Sequence, residues 1–163
     1  MTYKKFKILP IVLILLCCIV NALPTKLDQY FYLNLTKSLP RGLYLVKKTV
    51  PQVGDLVIID LPLKLKNMLV QRADLNVTSL LLKPIIAANG DYVCTHEQNI
   101  LINNQIKLAK NHSIDLYVMC RTLTQQEFFV GIQSKDNSLD SRYFGPITFQ
   151  DLRSVVIPMI TFE

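Results

Sequence analysis

The sequence predicts a mainly β domain of short antiparallel strands with one small helical insertion, preceded by an N-terminal hydrophobic helix. Three observations carry that expectation. Apolar runs of strand length alternate with turn residues, as in "QVGDLVIIDLP" and "LLLKPIIAANGDYV", and short apolar runs bounded by Gly, Asn and Asp are the signature of strands. Residues 62–79 have helical spacing at Leu65, Met68 and Leu69 and read as a short helix or an inserted loop. A basic head and a continuous apolar run set residues 1–23 apart from residues 24–163.

The N-terminal stretch "MTYKKFKILPIVLILLCCIVNALP" places Lys4, Lys5 and Lys7 before an apolar run from Ile8 to Val20. Basic residues stay in the cytoplasm, so the order predicts export of the chain beyond the run. The run is short for a spanning helix, which needs about 17 to 25 residues. It suits a signal peptide with a small-residue cleavage site at Val20–Ala22, or a short signal-anchor if it is kept. Neither Cys17 nor Cys18 follows a small residue, which argues against a lipoprotein anchor.

The chain of 163 residues is long enough for one domain with a core, and its net charge of +6 is spread along it. No run interleaves basic and aromatic residues, so nucleic acid is not an expected partner. In an oxidising compartment the pair Cys94 and Cys120 reads as a disulfide. A metal site with His96 and His112 is the competing reading, but the spacing matches no compact zinc pattern and no metal is expected.

Along the chain, Tyr30, Phe31 and Tyr32 suit either a membrane interface or a first strand. "GLYLVKK" reads as a strand, and Gly54–Asp55 as a turn before the next one. "LLLKPIIA" is a buried strand closed by an Asn-Gly-Asp turn, followed by a strand, an Asn-rich turn and another strand. "HSIDLYVMCRTLTQQEFFVGIQ" adds a polar connection and further strand. A short helix is expected near "TFQDLRS", before "IPMITF" ends the chain. The triplets at Asn34, Asn76 and Asn111 match Asn-x-Ser/Thr and are attributed to chance.

Two residues carry candidate chemistry. Lys83 lies inside an apolar run. A buried lysine tends to lose its charge, and a neutral amine is a general base; taken alone, the residue also fits an edge lysine that reaches water. Ser38 sits in "NLTKSLPRGLY" before a stiff Pro-Arg-Gly turn, with Thr36 two residues earlier. The histidines offer no Ser-His-Asp set, whereas a Ser-Lys pair needs none.

Taken together, "SLPRGLY" (38–44), "GDLVII" (54–59), "LLKPIIAANGD" (81–91) and "DNSLDSRYFGP" (136–146) resemble, in order, the blocks of the serine/lysine signal peptidases. Within them, "NLTKSLPRGLY" is similar to the TraF-type conjugative-transfer branch, which has an Asn-x-Thr-x-Ser-Leu-Pro-x-Gly-x-Tyr form. The resemblance covers about residues 30–160. Pro84 and Asn89 depart from the commoner family residues. It implies the coiled signal-peptidase/LexA-like β fold, with Ser38 as nucleophile and Lys83 as general base. The oxyanion donors would be the Thr36 side chain and the Ser38 backbone. Ser138 would orient the lysine amine, and an Asp140–Arg142 ion pair would fix the final loop.

No cofactor is implied. The expected substrate is an exported precursor, foremost a conjugative pilin subunit cut or cyclised in the periplasm, on the outer face of the bacterial inner membrane. The rival readings are a general leader peptidase, a LexA-like self-cleaving regulator, against which the export signal argues, and a non-catalytic scaffold of a conjugation or secretion apparatus.

Overall fold

The computed structural model describes residue 12 and residues 27–61, 80–109, 115–135 and 138–162. The expected N-terminal helix, Cys17, Cys18, the helical insertion at 62–79 and His112 lie outside these residues. Two units divide the chain, Met1–Tyr30 and Phe31–Glu163. In the first, Leu27–Gln29 form a 3-10 turn in which the Tyr30 N–H donates to the Leu27 carbonyl at 3.0 Å.

The second unit is mainly β, as the sequence predicts. Its described strands are β1 (Phe31–Asn34), β2 (Arg41–Lys47), β3 (Leu56–Asp60), β4 (Leu80–Ala87), β5 (Tyr92–His96), β6 (Asn99–Ile102), β7 (Gln105–Ala109), β8 (Cys120–Thr122), β9 (Glu127–Val130), β10 (Ile147–Thr148) and β11 (Leu152–Phe162); among the described residues of this unit one short helix, α1, covers Ser141–Phe144. A seven-stranded sheet runs in the order β1-β2-β11-β3-β4-β9-β10, and a four-stranded sheet in the order β7-β6-β5-β8. Every pairing among the described residues is antiparallel.

The larger sheet is buried on both faces because its central strands are apolar at successive positions. Val57 and Ile59 of β3 pack on one face with Ile85, Val130, Ile147 and Val155. Ile58, between them, packs on the other with Tyr44, Leu82 and Val156. Residues i and i+2 of a strand share a face, so one apolar run serves two clusters. A third cluster, including Val93, Ile100, Leu108 and Phe129, lies under the smaller sheet. Burying apolar surface at about 25 cal/mol per Å² makes these clusters the main stabilising term.

Gly42 explains how β2 and β11 meet. Its φ is +146°, and a Cβ there would collide with the Ile160 carbonyl. Glycine alone lets the two backbones approach at the point where β11 slips register between Pro158 and Ile160.

Local structure departs from the sequence reading in four places. The run after the Asn-Gly-Asp turn holds three strands, because the chain also reverses at Glu97, whose φ is +53°. That turn carries no glycine to announce it; the next, at Asn103 and Asn104 with φ of +49° and +63°, has the residues such turns favour. The segment around Cys120 forms two strands, β8 and β9. "TFQDLRS" forms no helix: the Asp151 carboxylate accepts from Thr148 N and Oγ1 at 2.8 and 2.9 Å and closes a tight turn into β11. The short helix lies instead at Ser141–Phe144, where Asp140 caps the Arg142 N–H. Phe31 and Tyr32 belong to β1, and Tyr32 packs against the Tyr44 cluster.

Candidate active site

Ser38 stands on the loop joining β1 to β2, and one side chain organises that loop. Asn34 is fully buried. Its Nδ2 donates to the carbonyls of Thr36, Leu39 and Pro40 at 3.3, 3.2 and 3.0 Å. Its Oδ1 accepts from the Thr36 N–H at 3.1 Å and the Thr36 hydroxyl at 2.7 Å. Carbonyls surround the amide nitrogen and donors surround the oxygen, so the carboxamide has one satisfied orientation. The Tyr44 hydroxyl donates to the Pro40 carbonyl at 2.7 Å, and Leu39 packs into the Tyr44 cluster. The loop is thus pinned on both sides of Ser38, while Ser38 itself stays half-buried.

Lys83 occupies the middle of β4, opposite Val57 of β3. Alternation puts it on the same face as Leu81 and Ile85, amid the cluster of Val57, Val130 and Ile147. It is 2% exposed. Burial pushes its pKa down to about 8, with Asp140 acting to raise it and Arg142 to lower it further. Its Nζ donates to Ser138 Oγ at 2.8 Å. Near neutral pH the residue is therefore poised to exchange its proton.

Ser138 is held by a buried scaffold. Asp140 and Arg142 are 0% and 1% exposed and form a two-bond fork, Nε to Oδ1 at 2.8 Å and Nη2 to Oδ2 at 2.9 Å. The remaining guanidinium donors reach the carbonyls of Ala109, Ile132 and Lys135 at 2.7, 3.0 and 3.1 Å. Ser141 Oγ accepts the Val130 N–H at 3.0 Å. One arginine thereby ties the end of β7, the 132–135 turn and α1 together.

The two groups of residues meet through Lys135 and Ser138. Lys135 Nζ donates to the Lys37 carbonyl at 3.4 Å, and the Ser138 N–H to the Lys135 carbonyl at 3.3 Å. A cleft of about 390 Å³ opens there, with Ser38, Lys37, Arg41, Ile132, Lys135 and Phe162 among its walls. Among the described residues no hydrogen bond joins Ser38 to Lys83; Ser38 Oγ lies 3.3 Å from Thr36 Oγ1. Since the Thr36 proton goes to Asn34, the Ser38 hydroxyl donates to Thr36 in this state.

Cys94 and Cys120 face each other across β5 and β8 and are joined by a disulfide. His96 ends β5 at the surface, away from any metal-ligand cluster among the described residues.

Residues 4–160 match the family described as signal peptidase, peptidase S26. The chain belongs to that family. Its members are serine endopeptidases, and signal peptidases act on exported precursor polypeptides. No curated protein matches the chain. A solved structure of signal peptidase I from Enterococcus faecalis V583 is similar over 67% of this chain and 98% of that one, at 18% identity and a TM-score of 0.41.

Asn34 and Tyr44 escaped the sequence reading as site residues, although both stand in the quoted motif. The signal was their position at its two ends. A carboxamide and a phenol flanking a serine loop are the groups able to bond its carbonyls from either side.

Proposed function

We propose that this chain is a Ser38/Lys83 endopeptidase that matures an exported conjugative pilin subunit, in the manner of the TraF-type branch. The observation that carries the reading is Lys83, buried, bonded to Ser138 and depressed to about 8. A neutral amine that donates one N–H to Ser138 keeps its lone pair for another proton. Ser38 turns its hydroxyl from Thr36 to Lys83, loses the proton and attacks the substrate carbonyl. The oxyanion takes the Ser38 N–H and the Thr36 hydroxyl, whose proton leaves Asn34 for the stronger acceptor. Lys83 returns the proton to the leaving amine. Water then resolves the acyl-enzyme to a linear product, or the substrate's own terminal amine closes a ring.

The proposed location is the periplasm, on the outer face of the inner membrane. The basic-then-apolar N-terminus and the Cys94–Cys120 bond support it. Leu33, Leu43 and Ile160 also align across β1, β2 and β11, and Leu33 and Ile160 are 56% and 61% exposed, an apolar row suited to a membrane surface.

The family match favours a second reading, a general leader peptidase with the same chemistry; a broad range of secreted precursors as substrates would favour it over the pilin reading. The deciding experiment is intact mass spectrometry of the candidate pilin from cells carrying wild type or Ser38→Ala. Shortening that requires Ser38 supports the peptidase reading, and a product one water lighter than the linear fragment marks cyclisation. Equal maturation with Ser38→Ala rejects catalysis on that substrate and favours the scaffold.

A further inference from the structure

We propose that the cleft beside Ser38 selects substrates carrying a carboxylate close to the scissile bond, either an acidic side chain or a free C-terminus. This rests on the endopeptidase reading above and names a substrate class for it.

Three cations, Lys37, Arg41 and Lys135, line the same concavity as Ser38, and no carboxylate does among the described residues. None of the three belongs to an ion pair among those residues. They come from separate parts of the chain: the Ser38 loop, the start of β2 and the turn that Arg142 holds. Lys135 reaches across the mouth to the Lys37 carbonyl, so its ammonium is drawn toward the Ser38 loop. Apart from Ser134 the remaining lining is apolar, with Leu39, Pro40, buried Ile132 and Phe162, which is 55% exposed.

Charges of one sign in a concave wall beside apolar surface focus their field into the space between them. An extended peptide threading past Ser38 therefore meets positive potential where its backbone is cut. A carboxylate there relieves repulsion among three like charges and gains hydrogen bonds to ammonium and guanidinium donors. A flat anionic membrane is the poorer fit, because these cations share a recess with the nucleophile.

The test uses the full-length chain in detergent and a peptide library with small residues around the scissile bond. The library contains Glu, Gln and Lys near the bond, with free or amidated C-termini, and products are read by mass spectrometry. Wild type is expected to favour Glu or a free C-terminus over the neutral counterpart by about fivefold at low salt, and by less than about twofold at 0.5 M salt, as for partly exposed charge pairs. Lys37→Gln/Lys135→Gln is expected to lower that ratio toward one; both side chains are exposed, so the melting temperature serves as the folding control. Preference for Glu whatever the terminus identifies a side-chain site, and preference for the free terminus a C-terminal site.

Ser38-dependent cleavage with no charge preference overturns the inference and leaves the endopeptidase standing. No Ser38-dependent cleavage at all removes both. If the double variant keeps the peptide preference but loses binding to phosphatidylglycerol vesicles, the cations serve the membrane and the proposal fails.

Discussion

The two halves of the candidate site are built on opposite principles. The Ser38 half is a half-exposed loop held by one neutral carboxamide, with Asn34 bonded to the backbone on both sides of the serine. The Lys83 half is a central strand position sealed from water, braced by Ser138 and, behind it, the buried Asp140–Arg142 fork. Chemistry explains the difference. In the proposed reaction Ser38 has to meet a peptide substrate, which suits a half-exposed position rigidified by local bonds. As the proposed base, Lys83 has to shed its proton near neutral pH; desolvation is the main cause here, with Arg142 adding to it, and desolvation demands a core.

The largest expected effect breaks the buried half. Arg142→Met leaves Asp140 charged and unpaired and releases three carbonyls. We expect a loss of about 3–5 kcal/mol in urea unfolding, partly recovered by adding Asp140→Leu. A loss below about 1 kcal/mol would mean that burial does not distinguish this fork from a surface pair.

Next comes Lys83→Met, read through pH. The folded pKa of about 8 lies below the ordinary 10.5, so between those values the unfolded chain binds a proton that the folded chain does not. Wild-type stability must therefore rise relative to Lys83→Met as pH climbs from 8 to 10.5, by up to about 3 kcal/mol. Below pH 8 the full penalty for the buried charge applies. The same titration predicts that wild-type kcat/KM rises with pH to a plateau above about 8. A flat stability difference, or an activity limb elsewhere, would contradict the buried-base assignment.

The exposed half is tested by Asn34→Ala. Loss of the carboxamide should cost about 2 kcal/mol and reduce kcat roughly a hundredfold by letting Ser38 drift, with KM changed much less. Parallel changes in kcat and KM would point to a general collapse of the loop instead.

The smallest effect sharpens what burial contributes. Arg121 and Glu127 also form a two-bond fork, through Nη1 and Nη2 rather than Nε and Nη2, with both bonds at 2.7 Å, but Arg121 is 44% exposed. The Arg121 hydrogen bonds pull the Glu127 carboxyl down to about 2. Its stabilising contribution is present above 4.5 and lost as pH falls toward 2. Arg121→Gln should nonetheless cost under about 1 kcal/mol at pH 7, measured by urea denaturation.

Much of the fold is legible in the sequence because turn residues and apolar runs are local signals. "GLYLVKK", "DLVIID" and "LLLKPIIA" stand out between their glycines, prolines and asparagines, and each matches a strand to within one residue at its ends. The turn at Glu97 and the single helical turn at Ser141–Phe144 were not legible. The first lacks a glycine, and the second is too short to show a period. Asn34 hid because its partners are backbone carbonyls, which have no letter in a sequence.

By itself the sequence determined the β class, most of the strand runs and the residue types available for chemistry, since propensity, periodicity and turn stereochemistry act over a few residues. Only the tertiary structure decided which lysine is dry, which arginine meets which carboxylate, and which cations share a recess with Ser38. Those outcomes depend on burial and on contacts such as Lys83 to Ser138, 55 residues apart, and no local rule reaches that far.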